Sequence, residues 1–173
     1  MSRPIRVSVK THVTCSLQRA FKTPLLCDLS KIHTGYGVMP RVTHCTDDEN
    51  WGLPGSTKKI MVAQSFTQNG GFAMVEKIVD RVENTYWKFE LSEFQFWVVG
   101  FSKFTGEWQT TELGQNNILI NYTYTLHGGQ PILYPLQWLF AKLIWRPYMK
   151  RVLKNIRLLI SNQEPFKYTD KPD

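Results

Sequence analysis

The segment 72–82, FAMVEKIVDRV, carries a carboxylate inside an apolar pattern. Alternate residues of an extended strand share a face, so Glu76 is expected beside Met74 and Ile78. Burial among apolar groups disfavours a charged carboxylate and raises its pKa, which makes the group suitable for proton transfer. We therefore expect Glu76 to be a candidate general acid or base. The alternative is structural: a carboxylate paired with a neighbouring Lys or Arg, or hydrogen-bonded to a tyrosine of an adjacent strand.

Aromatic side chains share faces on the segments that follow. The 173 residues include ten Phe, seven Tyr and six Trp, enough bulky apolar surface for a thick core or a lined cavity. Trp87 and Phe89 alternate on one predicted strand, and Tyr122 and Tyr124 alternate on another. Such residues could line a pocket for a hydrophobic ring or chain, with a phenol hydroxyl fixing its orientation. Equally, they could fill an aromatic core in which the hydroxyl groups are satisfied locally.

Other patterns of chemically active residues fail on spacing. Residues 52–60, GLPGSTKKI, have the residue types of a phosphate-binding loop. Their glycines are three apart, however, Ser and Thr precede the lysine, and the next residues look extended. The four histidines are scattered, and the carboxylates of residues 47–49 lack the spacing of a calcium loop. We predict neither a metal site nor a cofactor.

Charge and cysteine content limit the class of protein only loosely. The net charge of +7 is compatible with nucleic acid, anionic lipid or an acidic partner, and indicates none of them alone. Cys15, Cys27 and Cys45 are odd in number and widely separated, which favours reduced thiols and a cytoplasmic location. The start, MSRPIRVSVKTHV, lacks the apolar stretch of a signal peptide, and no run of about 18 apolar residues could span a bilayer.

The predicted elements are one strand, two short helices, a series of strands and one long helix. Residues 5–14 alternate as a half-buried strand, and Ser16 can cap the first short helix. Pro24 is expected to interrupt that helix before a second turn over residues 24–32. The connections between the later strands are too short for helical crossovers, which predicts an antiparallel meander. These strands are predicted at 41–46, 58–65, 72–82, 86–94, 96–104, 107–113 and 118–127.

Residues 132–161 form the long predicted helix. At about 100° per residue, Trp138, Trp145 and Met149 fall on one apolar stripe, and Pro147 should bend the helix near its middle. A basic face lies opposite, made of Arg146, Lys150, Lys154 and Arg157. Before the bend the side away from the stripe is also apolar, with Leu139, Phe140, Leu143 and Ile144. That side is expected to be a portal, a dimer interface or a membrane contact, unless the loop 35–54 covers it.

This order of elements resembles the helix-grip fold of the START and Bet v 1-like proteins. Residues 51–60, WGLPGSTKKI, are similar to its turn before the third strand, and residues 71–90 are similar to a characteristic strand pair. Residues 117–126, NILINYTYTL, resemble its last strand, and FAKLIWRPYMKRVLKNIRLLI resembles its closing helix. The resemblance covers nearly the whole chain and is best to the polyketide cyclase/dehydrase-like branch.

The resemblance implies a single α+β domain over residues 1–161, followed by a tail at 162–173. A curved antiparallel sheet of about six to seven strands would wrap around the long C-terminal helix, with two short helices after the first strand. Residues 52–55 would then be a turn at the mouth of a hydrophobic cavity. The predicted cavity residues are Phe72, Met74, Trp87, Phe89, Leu91, Trp108, Tyr122, Tyr124, Trp138, Trp145 and Met149.

Three functions follow from this resemblance. The first is the binding of a small hydrophobic molecule: a lipid, an isoprenoid, a quinone or a polyketide-like aromatic compound. The second is a cyclase or dehydratase that uses Glu76 as general acid or base. The third is an interaction protein with a collapsed cavity. A homodimer and a weak association with an anionic membrane surface stay open as further partners, and nucleic acid is not expected.

Overall fold

The computed structural model describes residues 3–66, 69–95 and 99–163. Its strands are β1 (Ile5–Thr14), β2 (Val42–Asp47), β3 (Thr57–Val62), β4 (Gly71–Val82), β5 (Tyr86–Ser92), β6 (Phe101–Gly114) and β7 (Asn117–Gly128). They form one antiparallel sheet in the order β1-β7-β6-β5-β4-β3-β2. The predicted tail beyond residue 163, and the predicted strand residues 96–98, lie outside the described ranges.

The helices flank this sheet in sequence. After β1 come α1 (Leu17–Leu26) and α2 (Leu29–Ile32). After β7 come a 3₁₀ turn (Pro131–Leu133), α3 (Tyr134–Phe140), a π-helical turn (Ala141–Trp145) and α4 (Arg146–Ser161). In the part of the chain that the structure describes, no helix has both the length and the apolar character needed to cross a bilayer.

The pairing of β1 with β7 is regular over its whole length. It runs through ten consecutive residue pairs, from Ile5 opposite Leu126 to Thr14 opposite Asn117. The alternating residues Ile5, Val7 and Val9 are buried, as the period of two requires when one face of a sheet packs on a core. The predicted strand 5–14 is confirmed to the residue.

Helix α1 continues through Pro24, contrary to the predicted interruption. A proline in a helix leaves the carbonyl group four residues earlier without its N–H partner, and here that group is the carbonyl of Ala20. The indole nitrogen of Trp108 donates a hydrogen bond of 3.2 Å to this oxygen. The cost of the proline is thus reduced by a side chain from β6, which no local pattern could reveal. The predicted cap is present, since Ser16 Oγ accepts from the backbone of Arg19.

Strand β6 is continuous from Phe101 to Gly114, where two strands at 96–104 and 107–113 were expected. Gly106 lies in its middle, opposite Phe89 on β5 and Tyr124 on β7. A Cβ atom at this position would overlap the Phe89 ring. Glycine at this position leaves room for an aromatic ring against the backbone. A glycine in a strand can thus mark a close approach as well as a turn.

The long C-terminal helix contains a π-helical turn at 141–145, which ends two residues before Pro147. Such a turn inserts one extra residue, so α3 is rotated by roughly 100° from the position that a continuous α-helix would give it. Phe140 and Gln137 consequently face the core, and Trp138 is 46% exposed. The predicted stripe is correct for α4 and wrong for α3.

Candidate ligand cavity

An internal cavity lies between the sheet and the helices. About 70 Å³ of it is open to the centres of water molecules. Of the predicted cavity residues, the structure places eight around this space: Met74, Trp87, Phe89, Leu91, Trp108, Tyr122, Tyr124 and Trp145. Glu76 also lines it. These residues come from β4, β5, β6, β7 and the π-helical turn, so the sheet supplies most of the wall.

Aromatic rings pack edge to face around the cavity. The ring centre of Trp145 lies 4.8 Å from that of Phe104 and 5.0 Å from that of Tyr124. Tyr124 in turn meets Phe89 at 5.4 Å and Tyr122 at 5.1 Å. Such contacts stabilise aromatic pairs beyond the area that they bury. The rings therefore form an aromatic core of their own and leave a small space. Both alternatives considered for the sequence, a lined pocket and a filled aromatic core, are thus correct in part.

Two pairs of polar groups face each other at the cavity wall. The Tyr122 hydroxyl donates a hydrogen bond of 2.9 Å to the Tyr124 hydroxyl. Nδ1 of His33 and the Tyr148 hydroxyl are 2.6 Å apart. Burial raises the pKa of all three phenols and lowers the pKa of His33 to about 4, with the nearby Lys58 acting in the same direction on the histidine. These four polar groups are therefore uncharged at neutral pH.

Glu76 is the acidic group of the cavity. Its side chain projects from β4, and the residue is 6% exposed. Burial raises the pKa of Glu76 to about 7, the Lys58 ammonium opposes this rise, and the Asp47 carboxylate adds to it. A carboxyl group with this pKa can both give and take a proton near neutrality.

Lys58 is buried beside this acid. It lies opposite Asp47 of β2 and opposite Glu76 of β4, so that a cation stands between two carboxylates in one row across three strands. Its Nζ is 3.6 Å from Asp47 Oδ1 and 4.0 Å from the ring centre of Trp51. Removing a charged group from water is costly unless opposite charge compensates, and this row supplies it. The structural alternative for Glu76, a neighbouring lysine, is thus present in the same site as the cavity.

Phe72 was expected to line the cavity but lies on the other face of the sheet. The pairing of β3 with β4 shifts at this point: Ile60 lies opposite Met74, and Met61 lies opposite Phe72. Ala73 is the extra residue of this bulge. Since a bulge reverses the alternation, Phe72 shares a face with Met61, whereas Ile60 and Met74 line the cavity.

Two residues of the C-terminal helix are also absent from the cavity wall. Trp138 is turned outward by the π-helical turn described above. Met149 is buried in the core at 1% exposure but does not reach the space. Helix α4 instead presents Tyr148 and Val152 to the cavity, and Met149 is one residue, about 100°, further around it.

Sequence reasoning missed the half of the wall that the helices and the loop before β2 supply, together with a few strand residues. The missed residues are Pro24, Leu29, Ile32, His33, Met39, Pro40, Val42, Ile60, Val62, Phe94, Phe104, Tyr148, Val152 and Ile156. The last three share the apolar side of the long helix with Trp145 and Met149, so the helical period could have identified them. The residues of α1, α2 and the loop carry no periodic signal, because their approach to the sheet is purely tertiary.

The remaining predicted patterns do not form sites in the described ranges. No cluster of three metal-binding side chains occurs there. The three cysteines form no disulfide with one another, and burial raises the pKa of the Cys27 thiol to about 12. Residues 52–55 form a turn between β2 and β3, in which Gly52 and Gly55 have φ values of 100° and 93°. The backbone N–H of Gly52 donates to Ser56 Oγ.

Solved structures of low sequence identity share this architecture. Norcoclaurine synthase from Thalictrum flavum, in complex with dopamine and hydroxybenzaldehyde, matches at a TM-score of 0.66 and 12% identity, over 95% of this chain and 90% of its own. TTHA0849 from Thermus thermophilus matches at 0.65 and 13%, over 93% and 100%. Ara h 8.0201 matches at 0.63 and 14%, over 92% and 99%. No protein-family model and no curated protein matches the sequence.

These likenesses and the element order define the class of fold. A seven-stranded curved antiparallel sheet closes on a long C-terminal helix, with two short helices after the first strand. The chain has the helix-grip fold, which it shares with Ara h 8.0201 and norcoclaurine synthase.

Proposed function

We propose that this protein binds one compact hydrophobic molecule, with an aromatic ring system as the best fit, in the cavity between the sheet and the C-terminal helix. The observation that carries the proposal is the apolar, aromatic-lined space with a few convergent polar groups. Its setting in the cell would be the cytoplasm, in line with three cysteines that form no disulfide with one another.

The size of the space limits the ligand. One buried water requires about 10–15 Å³ of space that the centre of a water molecule can occupy. The cavity, at about 70 Å³, has room for roughly five waters, or on the order of 150 Å³ of liquid. That volume suits one ring with substituents, such as a quinone head or a small polyketide-like aromatic compound. A lipid or isoprenoid chain would have to displace several packed rings, and we therefore rank it lower.

The polar groups suit a ligand with a hydroxyl, carbonyl or amine substituent. Glu76 can donate or accept a hydrogen bond according to its protonation state, and the Tyr122–Tyr124 pair has a second acceptor and donor position. One structure of the same fold holds dopamine and hydroxybenzaldehyde, each with a single substituted aromatic ring. This agrees with the proposed ligand class and assigns no activity to the present chain.

Native mass spectrometry of protein purified from its own host tests the proposal directly, together with titration of a fluorescent naphthalene probe. Val152→Phe places a ring in the cavity from α4 and should abolish saturable probe binding. Val79→Phe adds the same ring at a position that is 53% exposed and should leave binding unchanged. Protein that arrives empty and binds no probe would refute the proposal, as would equal binding by both variants.

A second candidate is an enzyme of the cyclase or dehydratase type, the activity associated with the polyketide cyclase/dehydrase-like branch. The observation that favours it is the position of Glu76: inside the cavity, with a pKa raised to about 7. Glu76 would exchange a proton with a bound ring, and Tyr122 or Tyr124 would stabilise the developing enolate oxygen. Glu76→Gln should abolish turnover yet retain probe binding, and unchanged turnover of an active substrate would exclude this role.

A further inference from the structure

The net charge of this protein is concentrated in its C-terminal helical segment. Residues 132–161 contain six of the 21 Lys and Arg residues and none of the 14 Asp and Glu residues. The rest of the chain is therefore almost neutral, although the total is +7. Charge of one sign clustered on one element gives a stronger local potential, within about a Debye length, than the same charge dispersed over the surface.

Part of this charge lines a groove between α4 and the edge strand β1. The groove has about 540 Å³ of space and is separate from the ligand cavity. Its cationic side chains are Lys10, Arg146, Lys150, Lys154 and Arg157, and no carboxylate of the described residues lines it. Ser8 and Thr11 of β1 add hydroxyl groups. This lining suits phosphate oxygens, which Lys and Arg bind as charges and hydroxyl groups bind by hydrogen bonds.

The other half of the same helical segment exposes apolar side chains. Five large ones lie within twelve residues, at exposures of 45–85%: Ile132, Leu136, Trp138, Leu139 and Leu143. Leu143 and Arg146 are three residues apart in the chain, so the basic residues follow directly after the apolar ones along the helical segment. Nζ of Lys142 lies 5.8 Å from the ring centre of Trp138. A cation is therefore in contact with an exposed aromatic ring within the apolar half.

We propose that the outer face of residues 132–157 docks on an anionic phospholipid surface. The apolar half enters the boundary between headgroups and acyl chains, and the groove between β1 and α4 binds lipid phosphates. A surface that joins Trp and Leu to Lys and Arg has the two signals that stable peripheral binding requires. The proposal does not depend on the ligand of the internal cavity.

The apolar half distinguishes this partner from others that the charge alone would allow. Nucleic acid and acidic proteins are drawn to basic grooves, but neither requires exposed Leu and Ile beside the cations. A phospholipid surface uses both: each Lys or Arg near it contributes about 1 kcal/mol, or about fivefold in binding.

Vesicle sedimentation with the whole protein tests the proposal. Vesicles of equimolar phosphatidylcholine and phosphatidylglycerol should bind the protein at low salt, and vesicles of phosphatidylcholine alone should bind it at least about tenfold more weakly. Lys150→Gln with Lys154→Gln should weaken binding to the anionic vesicles by about 30-fold. Lys59→Gln with Lys77→Gln is the matched control, because those lysines are exposed on β3 and β4 and the change of charge is the same.

The apolar half is tested in the same assay. Leu139→Gln with Leu143→Gln should weaken anionic binding by about tenfold, the loss expected for partial burial of two leucines. Leu53→Gln with Leu113→Gln alters leucines of similar exposure at distant positions and should have no effect. The substituted leucines are at least 45% exposed and the lysines lie on the surface, so the variants should keep the native circular dichroism spectrum.

Four results would overturn the proposal. Equal binding to both kinds of vesicle would remove the role of the cations. An unchanged affinity of the Leu139/Leu143 variant would leave only electrostatic adsorption. Tighter binding to polyglutamate or to duplex DNA than to anionic vesicles would indicate a different class of partner. A dimer that dissociates on substitution of Leu139 and Leu143 would assign the apolar half to a second copy of the chain.

Discussion

The two sides of the sheet differ in how strictly they follow the strand pattern. On one side, β1 and β7 pair over ten residues without a shift, and the β6–β7 pairing shifts only near the two ends of β6. The side chains buried along these three strands are apolar, aromatic or hydroxyl-bearing. On the other side, the pairings β2–β3, β3–β4 and β4–β5 each contain one shift. Among the described residues, the buried charged side chains are Lys58 and Glu76, both on this second side.

The difference shows that the bulges and the buried charged side chains occur on the same side of this sheet. A bulge re-aims the side chains around it, so it permits a strand to turn Phe72 and Asp80 outward while Glu76 and Ile78 stay inside. The regular side depends on the volume of its side chains. The bulged side depends on compensation of charge. Each dependence can be measured separately.

Packing on the regular side should produce the largest single effect. Trp108 is fully buried and holds the Ala20 carbonyl, so Trp108→Ala should lower the free energy of unfolding by about 3–5 kcal/mol in urea denaturation. Trp138→Ala removes the same side chain at a 46% exposed position and should cost less than about 1 kcal/mol. Equal losses would mean that exposure does not separate the two tryptophans.

Charge on the bulged side should be visible as a pH dependence. Because the pKa of Glu76 is raised from 4.5 to about 7, its stabilising contribution is present below pH 4.5 and is lost as the pH rises through 7. Glu76→Gln should therefore gain stability relative to the wild type across this window, by on the order of 3 kcal/mol at its upper end. Glu112→Gln, at an exposed position of β6, is the control. If Glu76→Gln instead loses stability relative to the wild type as the pH rises, Lys58 holds the Glu76 carboxylate in its charged form.

Close packing around a glycine gives a smaller effect. Gly106→Ala should cost about 1–3 kcal/mol, since the new methyl group meets the Phe89 ring. In Gly114→Ala, in the same strand, the new methyl group meets no atom within 4 Å, so no steric loss of stability is expected. Adding Phe89→Leu to Gly106→Ala should recover part of the loss in a double-mutant cycle, and strict additivity would contradict the proposed clash.

The smallest effect is expected at His33, which is half-buried and so partly screened by solvent. Its pKa is lowered to about 4, so its contribution to stability is present above pH 6.5 and is lost as the pH falls toward 4. His33→Gln should lose less stability than the wild type on this acidification, as followed by thermal unfolding. His12→Gln, at an exposed position of β1, should follow the wild type. Parallel acid profiles for His33→Gln and the wild type would exclude this role.

Much of the cavity could be predicted from the sequence, because alternation within a strand is local information. Trp87, Phe89 and Leu91 share a face on β5, and Tyr122 and Tyr124 share one on β7, in any sheet that keeps its pleat. The prediction for Phe72 failed because a one-residue bulge at position 73 has no clear signature in GFAM. The prediction for Trp138 failed because the π-helical turn lies within a sequence that reads as a continuous helix.

The sequence by itself determined the order of the elements, the buried face of β1 and the stripe of α4, since each depends on periodicity and on capping within a few residues. Tertiary structure decided which surfaces face the cavity, how far aromatic rings fill it, and that Lys58 is buried between Asp47 and Glu76. The physical reason is that register shifts and the burial of charge are set by contacts between segments distant in the chain. The free energy of such contacts is a property of the pair and cannot be read from either segment alone.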